Sequence, residues 1–305
     1  MRFPNTTSMA LAVFVLTAMI GCGGMSGSQV DIPESPDGTV RVVLDGLVQH
    51  HPEVVWRALP PSYQQDVNDL TIAFADTVDP VVYERAVAVL RKGVVVLQSK
   101  KELVLGSETF SKSQVDAETA DAFWEAAVHL IDAFLASDVA DLTTLREIDV
   151  ESFLSTTGAS MMDHAANLPA ENEEMESFSQ RVEALRDAEV ELMSQEGDHA
   201  VVVVLVPDED PVELRLVRVE ERWIPEKMAS QWPQAVEEAH SKIEYLGSEE
   251  SAQFRVQALF GIGVVEGFID QIELMETSDQ VDDLIGGILG NFMGQQQAGQ
   301  AVTEG

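Results

Sequence analysis

The stretch "AEVELMSQEGDHAVVVVLVPDEDPVELRLVRV", residues 188–219, is where the periodicity of the chain changes. Its runs "AEVELMSQ", "HAVVVVLV" and "VELRLVRV" are rich in β-branched residues and follow a period of two, which places successive side chains on opposite faces of a strand. Between them, "EGD" and "PDEDP" supply the glycine, proline and aspartate that turns require. The pattern predicts a three-stranded antiparallel meander over about 188–219. Elsewhere the period is helical, so the expected fold class is α+β, mostly helical with one small sheet.

Upstream of the meander, Val40, Val43, Leu44, Leu47 and Val48 recur at helical spacing. A break at "HHPE" precedes a short helix that ends at Pro60 and Pro61. Ser62 with Gln65 has the spacing of a capping box, opening a helix lined by Tyr63, Val67, Leu70, Phe74 and Val78. Asp79 before Pro80 starts another, carrying Tyr83, Ala86, Val87, Leu90, Val94 and Leu97. A long helix is expected from about 118 to 136, with Phe123, Ala127, Leu130 and Phe134 on one face. Shorter helices fill 138–167, and "PAENEEMES" reads as a loop and helix start. Downstream, "ERWIPEKMASQW" leaves the sheet for a helix near Pro225, and residues 233–294 are again helical. The expected segments are therefore a helical region 40–168, a sheet region 176–232, a C-terminal helical region 233–294 and a frayed tail 295–305.

The balance of 18 basic against 53 acidic residues gives a net charge of −35. Such a chain repels a phosphate backbone, which argues against nucleic acid as a partner. The 45% apolar content is that of a globular protein. A single cysteine, Cys22, excludes an internal disulfide and any multi-cysteine zinc site.

Cys22 stands at the end of "MALAVFVLTAMIG", residues 9–21, an uncharged run of 13 residues that lies downstream of Arg2. That is shorter than the ~20 apolar residues of a membrane-spanning helix and has the length of a signal-peptide core. The block Met19, Ile20, Gly21, Cys22 resembles the lipobox of bacterial lipoprotein precursors, although leucine is commoner at the first of these positions. The resemblance implies removal of residues 1–21, acylation of Cys22 and attachment to the membrane through acyl chains. Residues 22–39 then form a flexible tether. The absence of aspartate after Cys22 implies sorting to the outer rather than the inner membrane, so the expected location is the cell envelope.

Two further likenesses are carried by short motifs. The run "VVWRALPPSYQQDV", residues 54–67, resembles a segment of uncharacterised secreted lipoproteins of planctomycete bacteria, through Trp56, Ala58, Leu59, Pro60, Ser62, Tyr63, Gln64 and Asp66. A helix pair ending in "LPPSY" with later strands closing on "VRVEERW" looks like the cone-shaped folds of the nuclear-transport-factor-2 kind. That alternative implies a small-ligand-binding or hydrolytic domain whose pocket would be lined by Val202, Val204, Leu214 and Leu216.

The motifs that could carry chemistry resolve into structure. "GIGVVEG", residues 261–267, lacks the preceding strand that a dinucleotide site needs. Gly286, Gly290 and Gly294 repeat every four positions, echoed by Gly263 and Gly267, a spacing that lets helices approach closely, on a protein partner or the protein's own core; it competes with the ordinary reading of a loose terminal segment, since glycine costs a helix roughly 1 kcal/mol per residue. His50, His51, His129, His164, His199 and His240 form no ligand set by spacing. A copper site of Met161, Met162 and His164 competes with the ordinary use of methionine as core filler. No residue is assigned a catalytic, cofactor-binding or metal role, and the expected function is a non-enzymatic binding or structural one.

Overall fold

The computed structural model describes residues 31–111, 116–168 and 178–284. Cys22, the acidic run 169–177 and the glycines Gly286, Gly290 and Gly294 lie outside the described residues.

Ser35 opens α1 (Pro36–Val48), its hydroxyl accepting from the Gly38 N–H. The helix ends with His50 in the left-handed conformation at φ 58°. The His51 N–H reaches back to the Gly46 carbonyl and the His50 N–H to that of Leu47, a Schellman closure with histidine where glycine is usual. The turn leads into α2 (Glu53–Ala58), which packs so closely on α1 that a Cβ at Gly46 would lie 2.8 Å from Val54. Next come α3 (Pro61–Thr77) and α4 (Pro80–Leu105), the latter capped by Asp79 as the sequence predicts. The short α5 (Glu108–Ser111) is followed by α6 (Ala117–Leu135). Asp141 and Asp149 cap two single-turn helices, α7 (Leu142–Leu145) and α8 (Val150–Phe153). A π-helical turn, Leu154–Gly158, joins α8 to α9 (Ala159–Ala166), and α10 (Phe178–Ala184) leads to the sheet.

The sheet has four strands in the order β1 (Glu189–Glu196), β2 (His199–Leu205), β3 (Val212–Val219), β4 (Arg222–Pro225), all antiparallel. Gly197, at φ 60°, makes the β1–β2 turn, and a register shift between Leu192 and Ser194 leaves Met193 as a bulge. The meander expected from the sequence is present with one strand more. β4 escapes the pattern because its turn, Glu220–Glu221, sits at φ 47° and 66° without the Asn or Gly that announces such a hairpin.

One sheet face is the floor of the first core. Val190, Ala200, Val202, Val204, Leu216 and Trp223 meet Leu44 of α1, and Val202 is wholly inaccessible. The other face, at its β3–β4 end, presents Val217, Val219 and Ile224 to a second core of Trp56, Leu59, Tyr63, Val150, Leu154 and Trp232. Trp232 belongs to α11 (Glu226–Gly247), which leaves β4 directly after Pro225.

The remaining helices form a layer of their own. The salt bridges Lys101–Asp121 and Lys101–Glu125 and the Gln98–Asp132 hydrogen bond show α4 antiparallel to α6. On its other flank α4 meets α12 (Ala252–Leu274) through Arg85–Glu266 and Lys92–Asp270, and Lys100 Nζ donates to the Met275 carbonyl at 2.7 Å. Contacts advance in step along both chains, so these two helices are parallel. Flanked on both sides, α4 buries Val87, Val89, Val94 and Val96, whereas Leu90 is exposed. In α6 the buried positions are Ala120, Ala126 and Val128, and Phe123 is 54% exposed. A helix apolar on most of its circumference leaves its inward direction to the neighbours, which is why the expected Phe123 face is displaced.

Candidate functional site

The motif "VVWRALPPSYQQDV" folds into the corner where α2, α3, the β3–β4 hairpin and α11 meet. Gln64 Nε2 donates to the carbonyls of Trp56 and Leu59 at 2.8 and 3.3 Å, closing the bend around Pro60 and Pro61. Tyr63 stacks on Trp232 with centroids 4.2 Å apart and planes within 3°. Trp232 Nε1 in turn donates to Asp66 Oδ2 at 2.7 Å. The Ser62 N–H donates to Glu220 Oε2 at 2.9 Å. Ser62 and Gln65 do not form the capping box their spacing suggests, because Pro60, not Ser62, is the residue before the helix. Gln65 binds Asp69 instead.

The electrostatics derive from this geometry. Donation from Ser62 holds the Glu220 carboxyl below the usual range. Burial, with Asp66 and Glu220 nearby, pushes the Tyr63 phenol up, so it remains a neutral hydroxyl. Each side chain of the 54–67 motif that makes one of these polar contacts holds one element to another.

A second polar group lies behind the corner. Glu53, 4% exposed, directs Oε1 to His51 Nδ1 at 3.3 Å, while its Oε2 has no partner among the described residues. One turn along α2, Arg57 binds Glu151 at 2.6 Å through Nε, and its Nη1 is likewise buried and unpartnered among the described residues. α2 packs on α8 and on the π-helical turn, a local irregularity of the kind that often accompanies function. His50 reaches across to Asp163 at 2.5 Å.

The histidines are therefore partly gathered. His129 and His164 lie with ring centroids 5.0 Å apart on neighbouring helices. Met161 and Met162 are half-buried in α9. Among the described residues no group of three or more His, Cys, Asp or Glu side chains is placed to hold a metal. His240 is exposed on α11.

On the outer sheet face an open cleft of about 420 Å³ is lined in part by Ser194, Glu196, His199, Glu213, Arg215 and Glu226. Of the residues expected in a cone pocket, Val202, Val204 and Leu216 are instead buried in the first core, with Leu214 packed against it. The "GIGVVEG" run lies within α12 as continuous helix. No protein family, curated protein or solved structure matches the chain.

Proposed function

We propose that this protein is a lipid-anchored component of a bacterial cell envelope, acylated at Cys22, held preferentially at the outer membrane and serving a non-enzymatic binding or structural role. The observation that carries the reading is the Met19, Ile20, Gly21, Cys22 block at the end of an uncharged run, with Cys22 the sole cysteine of the chain. Among the described residues no helix is long and apolar enough to cross a membrane. Attachment through several acyl chains, each methylene contributing ~0.8 kcal/mol on burial, is durable where one chain is marginal. A structural role is supported by the polar contacts of the 54–67 motif, which join elements of the fold, and a binding role by the apolar residues left exposed on α12. The spacing of Gly286, Gly290 and Gly294 in the sequence suits a protein partner.

The experiment is expression of the full chain and of Cys22→Ser in a bacterial host, followed by membrane fractionation and mass spectrometry of the N-terminal peptide. The native chain is expected in the membrane fraction with a diacylglyceryl mass on Cys22. A Cys22→Ser chain that is cleaved and membrane-bound like the native one overturns the proposal.

A further inference from the structure

Two histidines meet where α9 packs on α6. The rings of His129 and His164 have centroids 5.0 Å apart and planes inclined at 60°. A coordinating ring nitrogen lies ~2.0 Å from a metal, with the ring centre about 1.1 Å behind it. Two centroids 5.0 Å apart therefore subtend about 105° at a shared ion, near the tetrahedral value. Rings inclined in this way can each direct a lone pair to a common point, whereas a parallel stack such as Tyr63 on Trp232 cannot.

Met161 stands on the same side of α9. At about 100° per residue it lies roughly 60° around the helix from His164 and one turn before it, while Met162 lies roughly 160° away, on the opposite side. The ordinary use of methionine is to fill a core. That reason fails here, because α9 has no buried residue. The carboxylates around the two rings are committed elsewhere. Glu125, 4.0 Å from His129 Nε2, binds Lys101 at 2.5 Å, Asp132 accepts from Gln98, and Asp163 binds His50. Two imidazoles and a thioether are left, a set that suits copper(I) and not the oxygen-seeking magnesium or calcium.

We propose that His129, His164 and Met161 bind copper(I) between α6 and α9. The His129 side chain is 52% exposed, so the ion enters from solvent. The net charge of −35 attracts any cation to the chain, and the ligand set decides which one stays. Occupation ties α9, which follows a π-helical turn and has no buried residue of its own, to the longer α6. The inference does not depend on acylation of Cys22, so either can fail alone.

The test is titration of the full chain carrying Cys22→Ser, which removes the only thiol, with copper(I) kept reduced by ascorbate and competed by bicinchoninate. One ion per chain is expected. His129→Ala, His164→Ala and Met161→Leu should each weaken binding at least tenfold, while Met162→Leu leaves it unchanged. X-ray absorption of the copper-loaded chain should show sulfur as well as nitrogen around the ion, which keeps the test decisive if a variant fails to fold. Binding that survives the loss of both histidines overturns the proposal, as does the absence of stoichiometric binding. So does equal weakening by Met161→Leu and Met162→Leu, or coordination by nitrogen and oxygen alone.

Discussion

Glu220 Oε2 accepts a hydrogen bond from the Ser62 backbone N–H, so a hairpin 158 residues distant supplies the N-cap that α3 does not carry itself. Pro60 has no side-chain oxygen to offer there, and the free N–H groups of the first turn attract a carboxylate. The contact explains why glutamate occupies a position at φ 47°. The backbone conformation there is strained, and the cap offsets the strain.

The acid dependence of this cap has a fixed sign. Glu220 titrates below its unfolded value of about 4.3, so its contribution is complete above that pH and is lost as pH falls through the lower folded value. Glu220→Gln is expected to lower the melting temperature at pH 7 and to leave it unaffected near pH 2. Melting curves across that range check it, and a constant difference between the two proteins would mean that the charge is not what caps the helix.

Glu221 sits at φ 66°, and among the described residues its side chain has no hydrogen bond to compensate. Relief of a left-handed non-glycine residue, at ~1–2 kcal/mol, exceeds the extra entropy that glycine loses on folding, ~0.5–1 kcal/mol. Glu221→Gly is therefore expected to stabilise the protein by about 0.5–1 kcal/mol, measured as a raised urea midpoint at unchanged slope. A lowered midpoint would sink the strain argument.

Legibility in the sequence depends on the range of the interactions. The caps of Asp79, Asp141 and Asp149 are local and can be read from spacing, as can the alternation that makes β1, β2 and β3. β4 is invisible because its turn is held by Glu220 reaching Ser62, a contact no local window contains. Phe123 cannot be placed from sequence for the same reason: α6 is apolar on several sides, and only the positions of α4 and α9 choose which side is buried. Of the candidate site, the motif from Trp56 to Asp66 is apparent in the sequence, but its purpose needs Trp232 and Glu220. The pairing of His129 with His164 and the isolation of Glu53 Oε2 have no sequence signal at all.

Trp232 ties two effects together, a stack on Tyr63 and a hydrogen bond to Asp66. Trp232→Phe keeps an aromatic ring but leaves the Asp66 carboxylate without this donor. A hydrogen bond to a charged group contributes ~1.5–3 kcal/mol, so a loss of about that size is expected. In a double-mutant cycle with Asp66→Ala, which removes the acceptor, the coupling should be at least ~1 kcal/mol. Additive losses would show that the stack, not the hydrogen bond, holds the corner.

Glu53 presents the opposite case, a buried acceptor that no described residue satisfies. Leaving such a group unpaired costs ~1–3 kcal/mol, whereas an apolar residue of similar volume carries no such penalty. Its contact with His51 is to a half-exposed ring at 3.3 Å and returns little. Glu53→Met is expected to raise stability by about 1 kcal/mol. A loss instead would assign Oε2 a partner, such as a buried water shared with Arg57 Nη1, and would move the α2 cluster from a structural cost to a built site.

His50 separates backbone from side chain at the end of α1. Its ring binds Asp163 across 113 residues while its backbone holds the left-handed turn that closes the helix. His50→Ala removes the contact and keeps the strain, and His50→Gly removes both. The glycine variant is expected to be more stable than the alanine variant by about 1 kcal/mol, the ordinary advantage of glycine at this position. If glycine is also more stable than the native histidine, the Asp163 contact contributes less than the turn costs. Native histidine above glycine would show the reverse, that a contact between the α1–α2 turn and α9 outweighs a strained residue. Urea midpoints of the three proteins, compared at one pH, decide between them.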